Sequence, residues 1–285
     1  MKRRLFTVQI LFVLAVMISG VAFGIGKGKK ALLRLKPKAG TTYITSLNMK
    51  MDIEIPGAAQ KVVMGMDTKF NIEGVEKNGN VKLDYAFSGM RMEMNMPGAG
   101  EIKYDSNDPS TQESPQGQAM HAAMGQMLNK SIGMVLSPRG EALETTSLSE
   151  VFPNMPADQL QQFGNSTDNQ FIAFPEQAVK VGESWKSEKV VPNPKLPIKM
   201  LMTYTLKAIE KNDYVIAVDA KIVPTDENAQ MKVDGSFKMD YKLDKKTCWT
   251  KGGEGVMDMG ITMNANGQNM TINTITDFTI SSKIE

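Results

Sequence analysis

Thr42-Tyr-Ile-Thr-Ser-Leu-Asn-Met-Lys-Met-Asp-Ile-Glu-Ile55 decides the fold. Tyr43, Thr45, Leu47, Met49, Met51, Ile53 and Ile55 hold one parity, and Thr42, Ser46, Asn48, Lys50, Asp52 and Glu54 fill most of the other. Successive strand side chains point to opposite faces, so alternation of this length predicts a long strand with one buried face. Pro56-Gly57 ends it. Val62, Met64, Met66, Thr68, Phe70 and Ile72 alternate on the way back, against Lys61, Asp67, Lys69 and Asn71. Lys77-Asn78-Gly79-Asn80 is a hairpin signal, because Asn-Gly tolerates positive φ. Val81, Leu83, Tyr85 and Phe87 then keep one parity, and Met90, Met92, Met94 and Met96 keep the other. The switch at Ser88-Gly89 predicts a β-bulge or sharp bend, the device by which a sheet curls.

The pattern returns downstream. Shifted by 134 positions, Ile72 meets Leu206, Val75 meets Ile209, Glu76-Lys77-Asn78 meets Glu210-Lys211-Asn212, and Val81 meets Val215. Alternation resumes in Ile198, Met200, Met202, Tyr204 and Leu206, then in Tyr214, Ile216, Val218, Ala220 and Ile222. It continues in Met231, Val233, Phe237, Met239, Tyr241 and Leu243, with lysine, serine and aspartate between them. Met257, Met259, Ile261 and Met263 lead to a turn at Asn266-Gly267, and Met270, Ile272, Thr274, Phe278 and Ile280 share a parity beyond it.

Phe174 to Trp185 joins the two strand-rich halves. Ahead of it, residues 107–117 read as loop, and Ala119 to Asn129 as a helix with Met120, Met124 and Met127-Leu128 at helical spacing. A short hairpin follows around Ser137-Pro138-Arg139-Gly140, then a weaker helix from Pro156 to Phe163. Roughly ten strands result, with hairpin connections. Their one-sided polarity makes them antiparallel, since buried parallel strands read as continuous apolar runs. The expected fold is mainly β: an antiparallel curved sheet or incomplete barrel built from two related halves, its short helical insert covering the concave face. A β-sandwich is the alternative. The divisions are residues 1–24 as a signal peptide, 25–40 as linker and approach to the first strand, 41–110 as the first β half, 111–168 as loop and helical insert, and 169–285 as the second β half.

The leader reading rests on Lys2, Arg3 and Arg4 ahead of the apolar run Leu5 to Val21, with small residues framing Ala22-Phe23-Gly24. Lys27, Lys29 and Lys30 beyond the run speak against a retained span. Export to the periplasm or envelope is the expectation. Removing Lys2, Arg3 and Arg4 takes Lys plus Arg from 33 to 30 against 31 Asp plus Glu, so the net charge moves from +2 to −1. Interspersed charges near neutrality offer no footprint for nucleic acid. With Cys248 as the one cysteine, neither an intramolecular disulfide nor a cysteine metal cluster is available.

Leu33-Arg-Leu-Lys-Pro-Lys-Ala-Gly-Thr-Thr-Tyr43, Tyr104-Asp105-Ser106, Phe174-Pro175 with Val179-Lys-Val-Gly-Glu-Ser-Trp185, and Asp244-Lys-Lys-Thr-Cys-Trp249 recur together in the chain. In these it resembles a family of exported bacterial proteins of unknown function, of Bacteroidetes type and often carried as lipoproteins. The resemblance implies export and a repeated β architecture, and brings no activity. The chain departs from it in lacking a cysteine near the cleavage site to carry a lipid.

Methionine is the chemical anomaly: 23 in all, 21 without Met1 and Met17. Met49/Met51, Met64/Met66, Met90/Met92/Met94, Met200/Met202 and Met257/Met259 stand two apart, which on strands puts each set on the apolar face. Plain core is one reading, because methionine fills irregular gaps. The sharper one makes these residues the lining of a pliable interior for an apolar or lipid-like ligand, since unbranched thioether side chains re-pack around varied shapes. A structural protein with an envelope partner is the alternative. Copper on Met120, His121, Met124 and Met127 is a lesser one, because thioethers suit Cu(I) but adjacent helix residues diverge by about 100° and no second histidine exists. No cofactor is expected. His121 has no nucleophile signature near it, Cys248 reads as an incidental thiol at a turn, and no nucleotide-binding or zinc-protease motif occurs. Asp52 and Glu54 face outward by parity. Trp185 and Trp249 read as anchors of equivalent corners of the two halves. The protein is therefore expected not to be an enzyme.

Overall fold

The computed structural model describes residues 29–96, 100–156, 160, 171–191, 198–225, 231–265 and 268–285. The leader, the turns at 97–98 and 266–267, and most of the helix expected over 156–163 lie outside the described residues.

The first half contributes β1 (Thr42–Ile55), β2 (Ala58–Val75), β3 (Val81–Met96), β4 (Gly100–Asp105), β5 (Ile132–Leu136) and β6 (Ala142–Thr145). The second contributes β7 (Ser184–Val191), β8 (Ile198–Ile209), β9 (Asp213–Pro224), β10 (Met231–Asp244), β11 (Thr250–Ala265) and β12 (Gln268–Ile284). They form one sheet in the order β6-β5-β3-β2-β1-β12-β11-β10-β9-β8-β7, with β4 beside the far part of β3. Every strand pairing is antiparallel. β6 and β7 do not pair among the described residues, so the sheet is an open, incomplete barrel, and the sandwich alternative falls away.

The two halves share one irregularity at equivalent positions. The β2–β3 register shifts between Ile72 and Gly74, and the β8–β9 register shifts between Leu206 and Ala208, the equivalent positions. The expected bulge in β3 is also present: Asp67 faces Gly89 and Thr68 faces Phe87, leaving Ser88 as the extra residue. The halves meet where β1 pairs with β12, and the Glu285 amide donates to the Thr42 carbonyl at 3.0 Å.

Asp67, opposite the bulge, accepts from Ser46 Oγ at 2.6 Å and from Arg91 Nη1 at 2.7 Å. Burial alone raises its pKa, but the Arg91 and Ser46 hydrogen bonds and the charges of Arg91 and Lys283 outweigh that and hold it below the usual carboxylate range. A depressed folded-state pKa gives stability that is present above the unfolded value and lost as pH falls through the folded one. Asp67→Asn is expected to cost about 1–2 kcal/mol at neutral pH. The variant should also flatten the loss of stability below about pH 4. Urea midpoints across pH check this, and parallel acid limbs for the two proteins would count against it.

The core sits at one end of the curl. Leu33 and Leu35, in the stretch expected to lead into the first strand, are 0% and 3% exposed. Their segment is stitched to distant parts of the chain: Ala31 bridges Val179, the Leu35 amide donates to Pro138 O, and the Lys36 amide donates to Thr247 O, both at 2.8 Å. A second strap, residues 171–176, spans the gap between the sheet's two ends. Phe174 N donates to Arg139 O at 2.9 Å in the β5–β6 turn, and Arg139 Nε returns a bond to Phe174 O at 3.0 Å. On the β7 side, Trp185 Nε1 donates to Ala173 O at 2.7 Å and Lys189 Nζ donates to Phe171 O at 3.3 Å. The strap that leads into the stretch joining the halves thus spans the base between the sheet's two ends.

Several expectations shift. The helix, α1, runs over Pro115–Met124 and ends in a 3-10 turn, Gly125–Met127, rather than spanning 119–129. Ser114 caps it by accepting from Gly117 N at 3.0 Å, with Pro115 in the first turn, where its missing N–H costs nothing. It lies on the inward side at the β4 edge, where His121 Nδ1 is 3.2 Å from Oη of the inward-facing Tyr104. It packs beside β4, and its methionines meet the core near Phe87. β4, β7 and the start of β11 were not legible as strands. A further one-turn helix, α2 (Leu148–Val151), follows β6.

Candidate functional site: an apolar cavity and its methionine rows

Antiparallel register lines up inward residues strand by strand. One row reads Tyr104, Met92, Met64, Met49, Phe278, Gly255, Met239, Val218, Tyr204 and Trp185, each opposite the next, from β4 to β7. The neighbouring row reads Ile102, Met94, Val62, Met51, Thr276, Met257, Phe237, Ala220, Met202 and Ser187. Neither carries a charged side chain. The opposite face carries most of the charges: Asp52, exposed, pairs with Lys61 at 3.4 Å, while Lys189, two residues beyond Ser187 on β7, has the inward parity.

Between this face and the straps lies an apolar cavity of about 260 Å³. Met66, Thr68 and Phe70 of β2 and Phe237, Met239 and Tyr241 of β10 form two of its walls. Leu47, Phe278 and Ile280 contribute to the sheet side, while Leu35, Gly140, Phe171, Phe174, Cys248 and Trp249 close the base. Gly253 and Gly255 of β11 make the curl possible, because a Cβ at Gly253 would lie 2.8 Å from Asp240 O and one at Gly255 would run into Lys238 O. Trp249 is the hub of the base. It stacks on Tyr43 (centroids 4.1 Å apart, 14° between planes) and meets Phe70 and Phe171 edge-on at 5.4 and 5.9 Å.

Burial shifts the titratable lining groups. Burial pushes the Tyr241 hydroxyl up to about 12. Burial likewise raises the Cys248 thiol, outweighing a hydrogen bond involving the Arg34 backbone, which favours the thiol over the thiolate. Cys248 holds φ 54° in a turn whose Asp244 carboxylate accepts from Lys246 N, Thr247 N and Thr247 Oγ1. Thr276, 1% exposed in the middle of the second row, has no hydrogen-bond partner for its hydroxyl among the described residues.

The eleven methionines singled out from sequence divide into three groups. Met90 and Met202 are buried in the core, and Met66 and Met200 pack against it. Of the eleven, Met66 lines the cavity. Met49, Met51, Met64, Met92, Met94, Met257 and Met259 lie on the same face, half-buried and beyond the core cluster. Met49, opposite Phe278, and Met257, opposite Phe237, join these rows to the cavity's edge. Parity alone had already put Phe237, Met239, Tyr241, Phe278 and Ile280 on that face. The straps' contribution had no periodic signal.

Met120, Met124 and Met127 pack against the core, while His121 is exposed with Nδ1 3.2 Å from Tyr104 Oη. The two tryptophans do not mark equivalent corners. Trp249 fills the base, whereas Trp185, the second residue of β7, stacks on Tyr204 (5.4 Å, 9°) at the sheet's edge.

No curated protein matches the chain. Solved structures match weakly. DynF from the dynemicin biosynthesis pathway of Micromonospora chersina shares 8% identity over 90% of this chain and 86% of its own, with a TM-score of 0.26. A DUF1329 family protein from Desulfovibrio piger shares 10% over 86% of each, at 0.18. The translocator domain of the autotransporter NalP from Neisseria meningitidis shares 8% over 86% and 89%, at 0.17. Scores this low carry no argument for the present chain. Residues 78–250, from the turn before β3 to the first residue of β11, match a family of unknown function, DUF6263; the match takes in more than half of the sequence, and the protein belongs to that family.

Proposed function

We propose that this is an exported, non-enzymatic protein that binds an apolar or amphiphilic ligand on the concave face of its sheet. The observation that carries the reading is the continuity of an uncharged apolar cavity with methionine rows that the fold leaves half-buried. A face built only as core would be covered, and an apolar patch left accessible marks a binding surface. Methionine suits such a surface because its three rotatable bonds let it conform to ligands of differing shape. The basic, then apolar, leader supports export. The alternative, an envelope protein whose partner covers the methionine rows, draws on the same half-buried residues.

Native mass spectrometry of the protein purified from its own cell envelope separates the two. The expected result is added mass that moves into organic solvent on extraction. Bare polypeptide together with a co-purifying protein would favour the structural alternative. A copper-sized increment would favour a metal role instead. Met92→Leu should change stability by less than about 1.5 kcal/mol, because the swap conserves volume. It should still alter the amount or kind of extracted ligand, and an identical extract would remove the methionine rows from the site.

A further inference from the structure

The shape and chemistry of the cavity narrow the ligand further, on the footing of the binding role proposed above. Met66, Thr68 and Phe70 are consecutive inward residues of β2, and Phe237, Met239 and Tyr241 are consecutive inward residues of β10. At about 3.3 Å per residue each wall runs about 13 Å along the strand direction, so the lining reaches about that far in from the methionine rows. The cavity's volume, about 260 Å³, exceeds the roughly 150 Å³ of an apolar cavity that takes up benzene. The end at Phe237 and Phe278 adjoins the methionine rows, while the other end stops on Phe70 and Trp249. Among the described residues, no charged side chain lines it. A charged group carried inside would be stripped of water with no counter-charge, at a cost of several kcal/mol or more.

We infer that the cavity receives the methyl end of a single linear hydrocarbon chain, inserted tail first, with the polar end held out among the methionine rows. The chain is the recognised chemistry, whether it belongs to a free fatty acid or to a one-chain lipid.

Trp249 reports on the closed end. In a Trp185→Phe background, where Trp249 is the remaining tryptophan, ω-bromododecanoic and α-bromododecanoic acids place a contact quencher at opposite ends of one chain. The ω-bromo acid is expected to lower Trp249 emission by about half at saturation, and the α-bromo acid to do so several-fold less, since quenching needs near van der Waals contact. A lysophosphatidylcholine bearing the ω-bromo chain tells the sources apart: equal quenching means the chain is read whatever its head, and quenching by the free acid alone means a fatty acid. Stronger quenching by the α-bromo acid would overturn the inference. So would calorimetric binding of both acids with no quenching, which leaves the binding role standing. No binding of either acid to the wild-type protein would remove both. Cys248 gives a readout that needs no variant, because the one thiol of the chain also lines the cavity. Dodecanoic acid should slow its modification by methyl methanethiosulfonate several-fold, and an unchanged rate despite binding would again overturn tail-first insertion.

Discussion

Trp249→Ala is expected to lower the free energy of unfolding by about 3–5 kcal/mol, the range for truncating a large buried aromatic. The indole is 4% exposed and touches Tyr43 of β1, Phe70 of β2 and Phe171 of the strap at once. Its Nε1 also donates to Ser282 Oγ at 3.3 Å on β12. Removing it enlarges a cavity that already exists, so the neighbours have little support to collapse onto. The stacked and edge-on contacts add about 0.5–1.5 kcal/mol each beyond area burial. Chemical denaturation of the variant measures the loss. A change below about 1 kcal/mol would mean that the base is held by its backbone hydrogen bonds alone.

Gly140→Ala is expected to destabilise by a comparable margin, for a different reason. Gly140 has φ +80°, and a Cβ there would sit 2.5 Å from Ile172 O. The left-handed backbone costs an alanine about 1–2 kcal/mol. Overpacking against a backbone carbonyl adds about 1–3 kcal/mol. The sum falls on the one place where the strap crosses the β5–β6 turn, so relief comes by pushing residues 171–174 away from Arg139. Faster amide exchange at Phe174, whose N–H bonds to Arg139 O, would accompany the loss. Protection unchanged at Phe174 in a destabilised variant would place the strain elsewhere.

Most of the sheet was legible because its period is local: every strand with an apolar face and polar alternates announces itself in a few residues. The bulge at Ser88 was legible for the same reason, since an extra residue flips parity. What escaped lacks that signature. β7, SWKSEKVV, is an edge strand with mostly polar residues, and the opening of β11, TKGGEG, carries glycines selected by close strand approach rather than by pattern. The segment holding Leu33 and Leu35 looked like an approach to the first strand because its burial is supplied by residues 138, 179 and 247, none of them near in sequence. Parity likewise put the methionines on the right face but could not say how far along that face the core extends. Coverage depends on the straps, and the straps are set by tertiary hydrogen bonds.

The β1–β12 ladder also bears on how the molecule comes into being. Tyr43 pairs with Ile284 and Glu54 with Asn273, so the middle seam of the sheet joins the first strand to the last. A chain emerging from its N-terminus can zip β1 onto β2 and β3, but one edge of β1 keeps its backbone groups unpaired until β12 exists. Such long-range pairing places the protein among slow folders, on the order of milliseconds to seconds or longer. Refolding should therefore be limited by the meeting of the two halves, and each half, while waiting, presents a ready template to any other copy of the other.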